Sequence, residues 1–272
     1  MTDTKKTILD FYESRPRRMA YIWLIVVIIL GLCWWSSSSL SGIHMTTQGV
    51  RMAQSVLDGI IHPDTKLLFE MGTQGVPYLL LQTLAIAILG TIVGAIIAIP
   101  LAFLSSVNIM PKPIAYLFRL FIMAIRTIPS FVYALFFVGV VGMSPSAGVL
   151  ALGLESIGMI SKLFIESIED LDTGILESMD AAGSTTFQKI RFGVLPQLMP
   201  DLFSNLLYRL DMNLRNASIL GLVGAGGIGA PLIFAMNGQM WPKVGSILIA
   251  LFVLIVLVEL ISSRIRKVLT AG

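Results

Sequence analysis

The sequence is poor in charge, and this scarcity excludes an ordinary water-soluble domain. Only 13% of its 272 residues are Asp, Glu, Lys or Arg, whereas soluble domains carry about 25%. Hydrophobic residues make up 56% of the chain, and its mean hydropathy is +0.85. With its long charge-free apolar runs, this composition predicts an all-α polytopic membrane protein, because open sheets cannot satisfy their backbone groups in lipid.

Cysteine and histidine are almost absent as well. The single Cys33 excludes an intrachain disulfide framework and a clustered cysteine metal site. The two histidines, His44 and His62, lack the helical spacing of metal ligands, so we expect no metal site. The apolar runs also contain no Ser-His-Asp or Cys-His set, which disfavours a membrane enzyme.

The chain lacks the G-x-x-x-x-G-K-[ST] pattern, so it has no nucleotide-binding P-loop and no cofactor is expected on it. Gly224-Ala-Gly226-Gly227-Ile-Gly229 matches the dinucleotide pattern G-x-G-x-x-G literally. A dinucleotide site needs a preceding strand and an acid about twenty residues later. Here an apolar run precedes the glycines and the next acid is Glu259. Two interpretations of these glycines remain open, close helix packing and a gate near the outer face.

Six apolar stretches predict six transmembrane helices. Their approximate bounds are 19–36, 78–104, 114–142, 147–168, 200–223 and 244–263. The first resembles a signal peptide because basic residues precede it. Bulky Leu32 before Cys33, and Trp34 and Trp35 after it, favour a retained span with interfacial anchors.

The remaining segments divide the chain into a simple layout. An N-terminal arm covers 1–18, a polar stretch covers 37–77 and a basic tail covers 265–272. Between them lies a transmembrane core at 78–264, which contains a polar segment at 169–198. With the amino terminus inside, only Arg51, Lys66 and Lys243 fall on the outer side among the basic residues outside spans. This asymmetry predicts that both termini and the polar segment are cytoplasmic.

The polar segment reads as two short helices. Asp172 or Thr173 can cap a helix that runs to about Ala182. Gly183 can end this helix in the left-handed conformation. Thr185 and Gln188 then form a T-x-x-Q capping box that opens a second helix.

Leu195-Pro196 is expected to end the second helix before the chain re-enters the membrane. These local features alone are equally consistent with a plain loop between spans and with a surface that grips a partner in water. Candidate contacts for such a partner are Glu177, Asp180, Ala181, Ala182, Gly183, Phe187, Leu195 and Pro196.

Charged residues interrupt the fifth apolar stretch. Charge within a membrane is costly and marks either a pathway or a buried pair. Asp211 and Arg215 are four residues apart, so a structural ion pair between them is one expectation. Arg209 lies on a different face, which leaves a positive charge suited to a phosphorus oxyanion. The candidate pathway residues are Arg126, Pro129, Arg209, Asp211, Asn213, Arg215, Asn216 and Ser218.

The polar segment resembles the cytoplasmic EAA loop of ABC-importer permeases. That loop has a glutamate, a glycine six residues later, and Leu-Pro twelve and thirteen residues after the glycine. Glu177, Gly183 and Leu195-Pro196 match it, but Ser178 and Met179 replace its two alanines. Four further stretches are similar to phosphonate-transporter permeases, and the resemblance covers about 77–267. These stretches are Arg126–Pro129, Ser144–Leu152, Ile157–Phe164 and Leu220–Gly229.

The resemblance implies the permease fold of type I ABC importers and a role in transport rather than catalysis. It further implies a second permease chain in a homodimer, two cytoplasmic ATPases that hold ATP and Mg, and an extracytoplasmic substrate-binding protein. The implied cargo is phosphonate or a related small phosphorus oxyanion. Alternatives are the same machinery carrying phosphite, a phosphate ester or an amino acid, and an ion-coupled secondary transporter without an ATPase.

Overall fold

The computed structural model describes residues 18–39 and 47–270, and every regular element in those ranges is helical. This confirms the all-α prediction. The α-helices are α1 Arg18–Ser39, α2 Thr47–Ile61, α3 Thr65–Phe69, α4 Val76–Ser105, α5 Lys112–Arg126, α6 Ser130–Val141, α7 Pro145–Glu169, α8 Thr173–Ala181, α9 Thr186–Gln188, α10 Leu195–Leu220, α11 Gly229–Asn237 and α12 Trp241–Thr270. A π-helical turn, Lys189–Val194, joins α9 to α10, and a 3₁₀ turn, Gly221–Val223, follows α10.

Within the described ranges, three helices are long and apolar enough to cross a membrane. They are α4, α7 and α12, and the bent pair α5 and α6 counts as a fourth span if it crosses as one. The predicted span 19–36 falls in α1, whose apolar part is shorter, at Tyr21–Ser37. The fifth predicted span falls in α10, which carries several charged residues. The count of six therefore stays a prediction.

The chain divides into two compact units, residues 1–53 and 54–272. In the first unit, almost every described side chain of α1 is exposed, including Trp34 and Trp35. In the second unit, buried apolar side chains form two clusters between α4, α7 and α10; α5 contributes to both and α6 to one of them. Burial of this kind fixes which face of each helix points inward.

Small residues bring α4 and α7 into close contact. A Cβ atom on Gly90 would lie 2.7 Å from Cβ of Leu152, and one on Gly94 would lie 2.4 Å from Cβ of Ser156. Both distances are below normal van der Waals separation. Glycines four residues apart allow such approach between membrane helices, because their backbones meet without intervening side chains.

The predicted third span is sharply broken between α5 and α6, which meet at an 80° bend. Pro129 accounts for the break, since it disfavours helical geometry at the preceding residue and is the extended residue immediately before α6. The carbonyls left at the end of α5 find side-chain donors. The Tyr133 hydroxyl donates to the Ile125 carbonyl at 2.9 Å, and the Thr127 hydroxyl donates to the Ala124 carbonyl at 2.7 Å. The bend is therefore compatible with a lipid surrounding.

The close packing of α4 and α7 gives a direct test. Gly94→Ala should destabilise the protein by about 1–3 kcal/mol, because the new methyl overlaps Ser156. Gly139→Ala on α6 is the matched control, since its Cβ meets nothing within 4 Å. Thermal unfolding in detergent measures both variants. Equal melting temperatures for the two would contradict this account of the helix contact.

Candidate functional site

The polar residues of α10 fall on two opposite faces of the helix. Arg209, Asn213 and Asn216 follow the i, i+4, i+7 spacing of one face, and Asp211 and Arg215 follow the same spacing on the other. The structure confirms that Arg209 and Asp211 point in different directions, because they contact different helices.

Arg209 is enclosed by the protein, with only 3% of its surface exposed. Its Nη2 lies 2.9 Å from Oε2 of Glu155 on α7. Its Nε donates to the Ser156 hydroxyl at 2.9 Å. The guanidinium is therefore paired and hydrogen-bonded by two adjacent residues of α7, as a buried charge requires.

The same contact region extends to α4 through an asparagine. Nδ2 of Asn213 donates to Oγ1 of Thr91 and to Oγ of Ser156, both at 2.8 Å. Nδ2 of Asn216 donates to Oε2 of Glu155 at 3.3 Å. We call this set the buried polar network. Its members are Thr91, Glu155, Ser156, Arg209, Asn213 and Asn216.

The other face of α10 pairs with α12. Arg266 Nη2 lies 3.3 Å from Oδ2 of Asp211, and Arg215 Nη2 lies 3.0 Å from Oε2 of Glu259. The expected Asp211–Arg215 pair is therefore wrong. Both side chains lie on the face that meets α12, where a partner from another helix is available to each.

Sequence reasoning missed the acids that balance the arginines. Glu155 lies within the predicted fourth span and Glu259 within the sixth. Both acids could have been recognised from the sequence, because an acid inside an apolar run indicates an ion pair or a pathway. With these acids included, Arg209 and Arg215 are each paired in this structure.

The other predicted pathway residues are spread around this region. Arg126, exposed at the end of α5, packs across Gly158, because a Cβ there would lie 2.5 Å from its Cγ. Arg126 thus reaches α7 within a turn of Glu155. Pro129 lies at the bend, immediately before α6. The Ser218 hydroxyl donates to the Leu214 carbonyl of its own helix and lies outside the network.

The predicted gate glycines form a tight turn, Gly224–Gly229, which we call the glycine turn. Gly224, Gly226 and Gly227 have φ of 85°, 81° and 77°, values that other residues rarely adopt. A Cβ on Gly226 would lie 2.7 Å from Cα of Pro145, so the turn rests on the start of α7. Gly229 is packed equally closely, 2.2 Å from the Ser218 carbonyl by the same measure. Close packing therefore accounts for these glycines, and their role as a gate stays a prediction.

The polar segment follows α7 at its other end and has the predicted local structure. The Asp172 carboxylate accepts from the Gly174 amide and caps α8. Gly183 ends the helix with a φ of 74°. Thr185 and Gln188 form the capping box, with Oε1 of Gln188 accepting from the Thr185 amide at 2.8 Å. These three predictions are confirmed.

Leu195-Pro196 does not end the segment, contrary to the sequence prediction. The π-helical turn continues directly into α10, and the Leu195 amide donates to the Ile190 carbonyl. Pro196 lacks an amide hydrogen and would disrupt an α-helix interior. The wider π turn before it removes that conflict, since Pro196 stands in the first turn of α10.

The surface of the polar segment is defined by a small set of exposed side chains. Phe187 and Phe192 are 69% and 67% exposed, and sequence reasoning missed Phe192. Asp180 is exposed and pairs with Lys189 across the segment. Leu195 is partly buried and packs on the apolar cluster between α4, α7 and α10. The other predicted contacts, Glu177, Ala181, Ala182, Gly183 and Pro196, are exposed.

The part of the chain that the structure describes contains no group of three His, Cys, Asp or Glu side chains placed to hold an ion. The polar features are a charged network between α7 and α10, the polar segment at one end of α7 and the glycine turn at the other.

Residues 90–271 match the family described as the binding-protein-dependent transport system inner membrane component. The chain belongs to this family. The predicted resemblance to ABC-importer permeases is thereby confirmed, and the chain is a transport-system membrane component rather than an enzyme.

Individual proteins with a known name are also similar in sequence to this transport component. It is 39% identical over 192 residues to the phosphate-import permease protein PhnE of Mycolicibacterium smegmatis, a match over 70% of this chain and 36% of that protein. The chain thus spans about a third of that relative's length. It is 36% identical over 189 residues to the phosphite transport system permease protein PtxC of Stutzerimonas stutzeri, covering 69% of each. It is 39% identical over 118 residues to PhnE2 of Escherichia coli, named for a cryptic phosphonate transport system, covering 43% of this chain and 97% of that protein.

Solved structures share the fold of this transport component. One is a chain from the inward-facing conformations of the MetNI methionine ABC transporter, with a TM-score of 0.61, 23% identity and coverage of 70% of this chain and 94% of that one. Another comes from an amino acid ABC transporter with histidines, with a TM-score of 0.54, 18% identity and coverage of 82% and 94%. The predicted importer permease fold is therefore confirmed.

The buried ion pair of this transport component can be tested by a double-mutant cycle. Arg209→Met should destabilise the protein by about 3–5 kcal/mol, because Glu155 keeps its charge without a partner. Adding Glu155→Leu removes both charges and should recover much of that loss. Thermal unfolding of the two single variants, the double variant and the wild type in detergent measures the coupling. Additive losses in the double variant would count against a paired Arg209.

Proposed function

We propose that the chain is the permease subunit of an ATP-driven importer for phosphonate or a related small phosphorus oxyanion. One observation carries the proposal. Relatives at 36% to 39% identity are named for import of phosphate, phosphite and phosphonate. These ions share a tetrahedral phosphorus bearing charged oxygens, so one pathway chemistry serves all of them.

The energy for transport comes from a separate ATPase subunit in this proposal. The sequence has no P-loop, so ATP and Mg bind to the partner. The exposed surface of the polar segment supports such a partner, because Phe187 and Phe192 stand largely free of their own chain. Large apolar side chains on a water-facing surface are typical of interaction sites.

The working complex contains two copies of this chain, two ATPases and an extracytoplasmic binding protein. The polar segment and both termini face the cytoplasm, as the distribution of basic residues indicates. ATP binding draws the ATPases together and moves the two polar segments. The spans then open outward to receive cargo, and hydrolysis returns them inward.

Arg215 is the guanidinium of α10 that an anion can reach. Its side chain is 46% exposed, whereas that of Arg209 is 4% exposed and held by Glu155. Guanidinium groups donate paired hydrogen bonds to phosphorus oxyanions. Arg126, also exposed, supplies a second positive charge close to α7. The glycine turn at the opposite end of α7 from the polar segment serves as the outer gate.

Reversal of one surface charge tests the ATPase contact. Glu177→Arg should reduce co-purification of the ATPase at least tenfold, because it places a like charge where a complementary one is expected. Glu70→Arg is the matched control, since Glu70 is also exposed but follows α3, outside the polar segment. Equal ATPase recovery with both variants would contradict docking on this surface.

The cargo contact of Arg215 is separable from its ion pair. Arg215→Gln should lower kcat/KM for methylphosphonate uptake by about tenfold or more, through loss of a charge-assisted hydrogen bond. Glu259→Gln in the same chain removes the unpaired acid and is expected not to restore uptake. Uptake, ATP hydrolysis and complex yield are measured together in proteoliposomes. Full recovery in the double variant would mean that Arg215 only balances Glu259.

A further inference from the structure

One carboxylate joins the polar segment to the neighbouring cytoplasmic-end loop, residues 106–111. Glu169 is the last residue of α7 and the first of the polar segment. Its Oε1 accepts from the Val107 amide at 2.8 Å. Its backbone carbonyl accepts from Nδ2 of Asn108 at 3.2 Å. The loop is therefore held directly against the end of α7.

The same carboxylate oxygen also holds α5. Nη2 of Arg119 pairs with Oε1 of Glu169, and Nε of Arg119 donates to the Ser105 carbonyl at 2.9 Å. The Arg119 and Glu169 side chains are about a quarter exposed, at 28% and 25%. Because the pair is partly buried, dissolved ions screen its attraction less than they screen that of a fully exposed pair. Three elements, α4 with its loop, α5 and α7, thus meet at one carboxylate.

The polar segment contacts this junction from the other side. Asn108 and Ile109 line a small cleft together with Asp180, Lys189 and Ile190 of the polar segment. Only three residues, 170–172, separate Glu169 from α8. A displacement of α8 therefore reaches Glu169 through a very short connection and through direct packing.

The far end of α5 lies at the bend that precedes α6. Its last residue, Arg126, packs across Gly158 of α7, within a turn of Glu155. The second half of α5, from Arg119 to Arg126, thus runs from the Glu169 junction to the neighbourhood of the buried polar network.

We propose that Glu169 is a positioning residue that makes α5 follow the movement of the polar segment. This inference rests on the proposed function, because it assumes that an ATPase moves that segment. Through Arg119, Glu169 passes the displacement to α5 and so to the bend at Pro129. Without the ion pair, the segment moves while α5 stays behind, and ATP is hydrolysed without transport.

Glu169→Gln is the direct test, in the complete importer reconstituted with its ATPase and binding protein. The amide keeps an acceptor for Val107 but loses the charge that holds Arg119. We expect methylphosphonate uptake per ATP hydrolysed to fall about tenfold, with the yield of assembled complex unchanged. Arg119→Gln should give the same loss, and Arg119→Lys a smaller one, because lysine keeps the charge without the guanidinium geometry.

Glu166→Gln is the matched control. Glu166 lies one turn earlier on α7 and pairs at 3.0 Å with Lys162 of the same helix, so it connects no second element. Its uptake per ATP should equal that of the wild type.

Two results would overturn the inference alone. One is an unchanged ratio of uptake to hydrolysis in Glu169→Gln and Arg119→Gln. The other is a fall in uptake that matches a fall in assembled complex, which would indicate a purely structural ion pair. Absence of ATP-dependent uptake in the wild-type complex would instead contradict the proposed function and this inference with it.

Discussion

A guanidinium buried among membrane helices must find its counter-charge and hydrogen-bond acceptors within the protein, because lipid supplies neither. Arg209 finds them in Glu155 and Ser156, and Asn213 carries the contact on to Thr91. These partners come from α4 and α7. The requirement therefore sets the register of α7 and α10, since sliding either by a turn would leave a buried charge unpaired. Sliding α4 would take the Thr91 acceptor away from Asn213.

Close backbone approach is what allows those short polar contacts. Gly90 and Gly94 let α4 meet α7 without intervening side chains, which brings Thr91 and Ser156 within reach of one asparagine amide. The same helix, α7, contacts the glycine turn at its start and ends at Glu169. Helix α7 therefore connects the glycine turn to the polar segment, which would have to act together in transport.

Sequence patterns predicted best where the deciding interactions are local. The Thr185–Gln188 capping box and the left-handed Gly183 depend on hydrogen bonds and dihedral angles within a few residues. The ion pairs of α10 are not local in this sense, and sequence spacing predicted them wrongly. Asp211 is four residues from Arg215 but pairs with Arg266, because the helix packed beside it offers a counter-charge that spacing along one helix cannot reveal. Pro196 was predicted to end the polar segment, but the π-helical turn before it accommodates the proline and the helix continues.

The sequence by itself determined that this protein is helical, lies in a membrane and has a capped polar segment between two long helices. Hydropathy and capping act through adjacent residues and through the surrounding lipid, so they can be read along the chain. Only the tertiary structure decided which acid neutralises which arginine, which guanidinium is sealed and which is reachable. Those outcomes depend on helix faces and on contacts between residues 44 or more positions apart, as in the pairing of Arg215 with Glu259 and of Arg119 with Glu169.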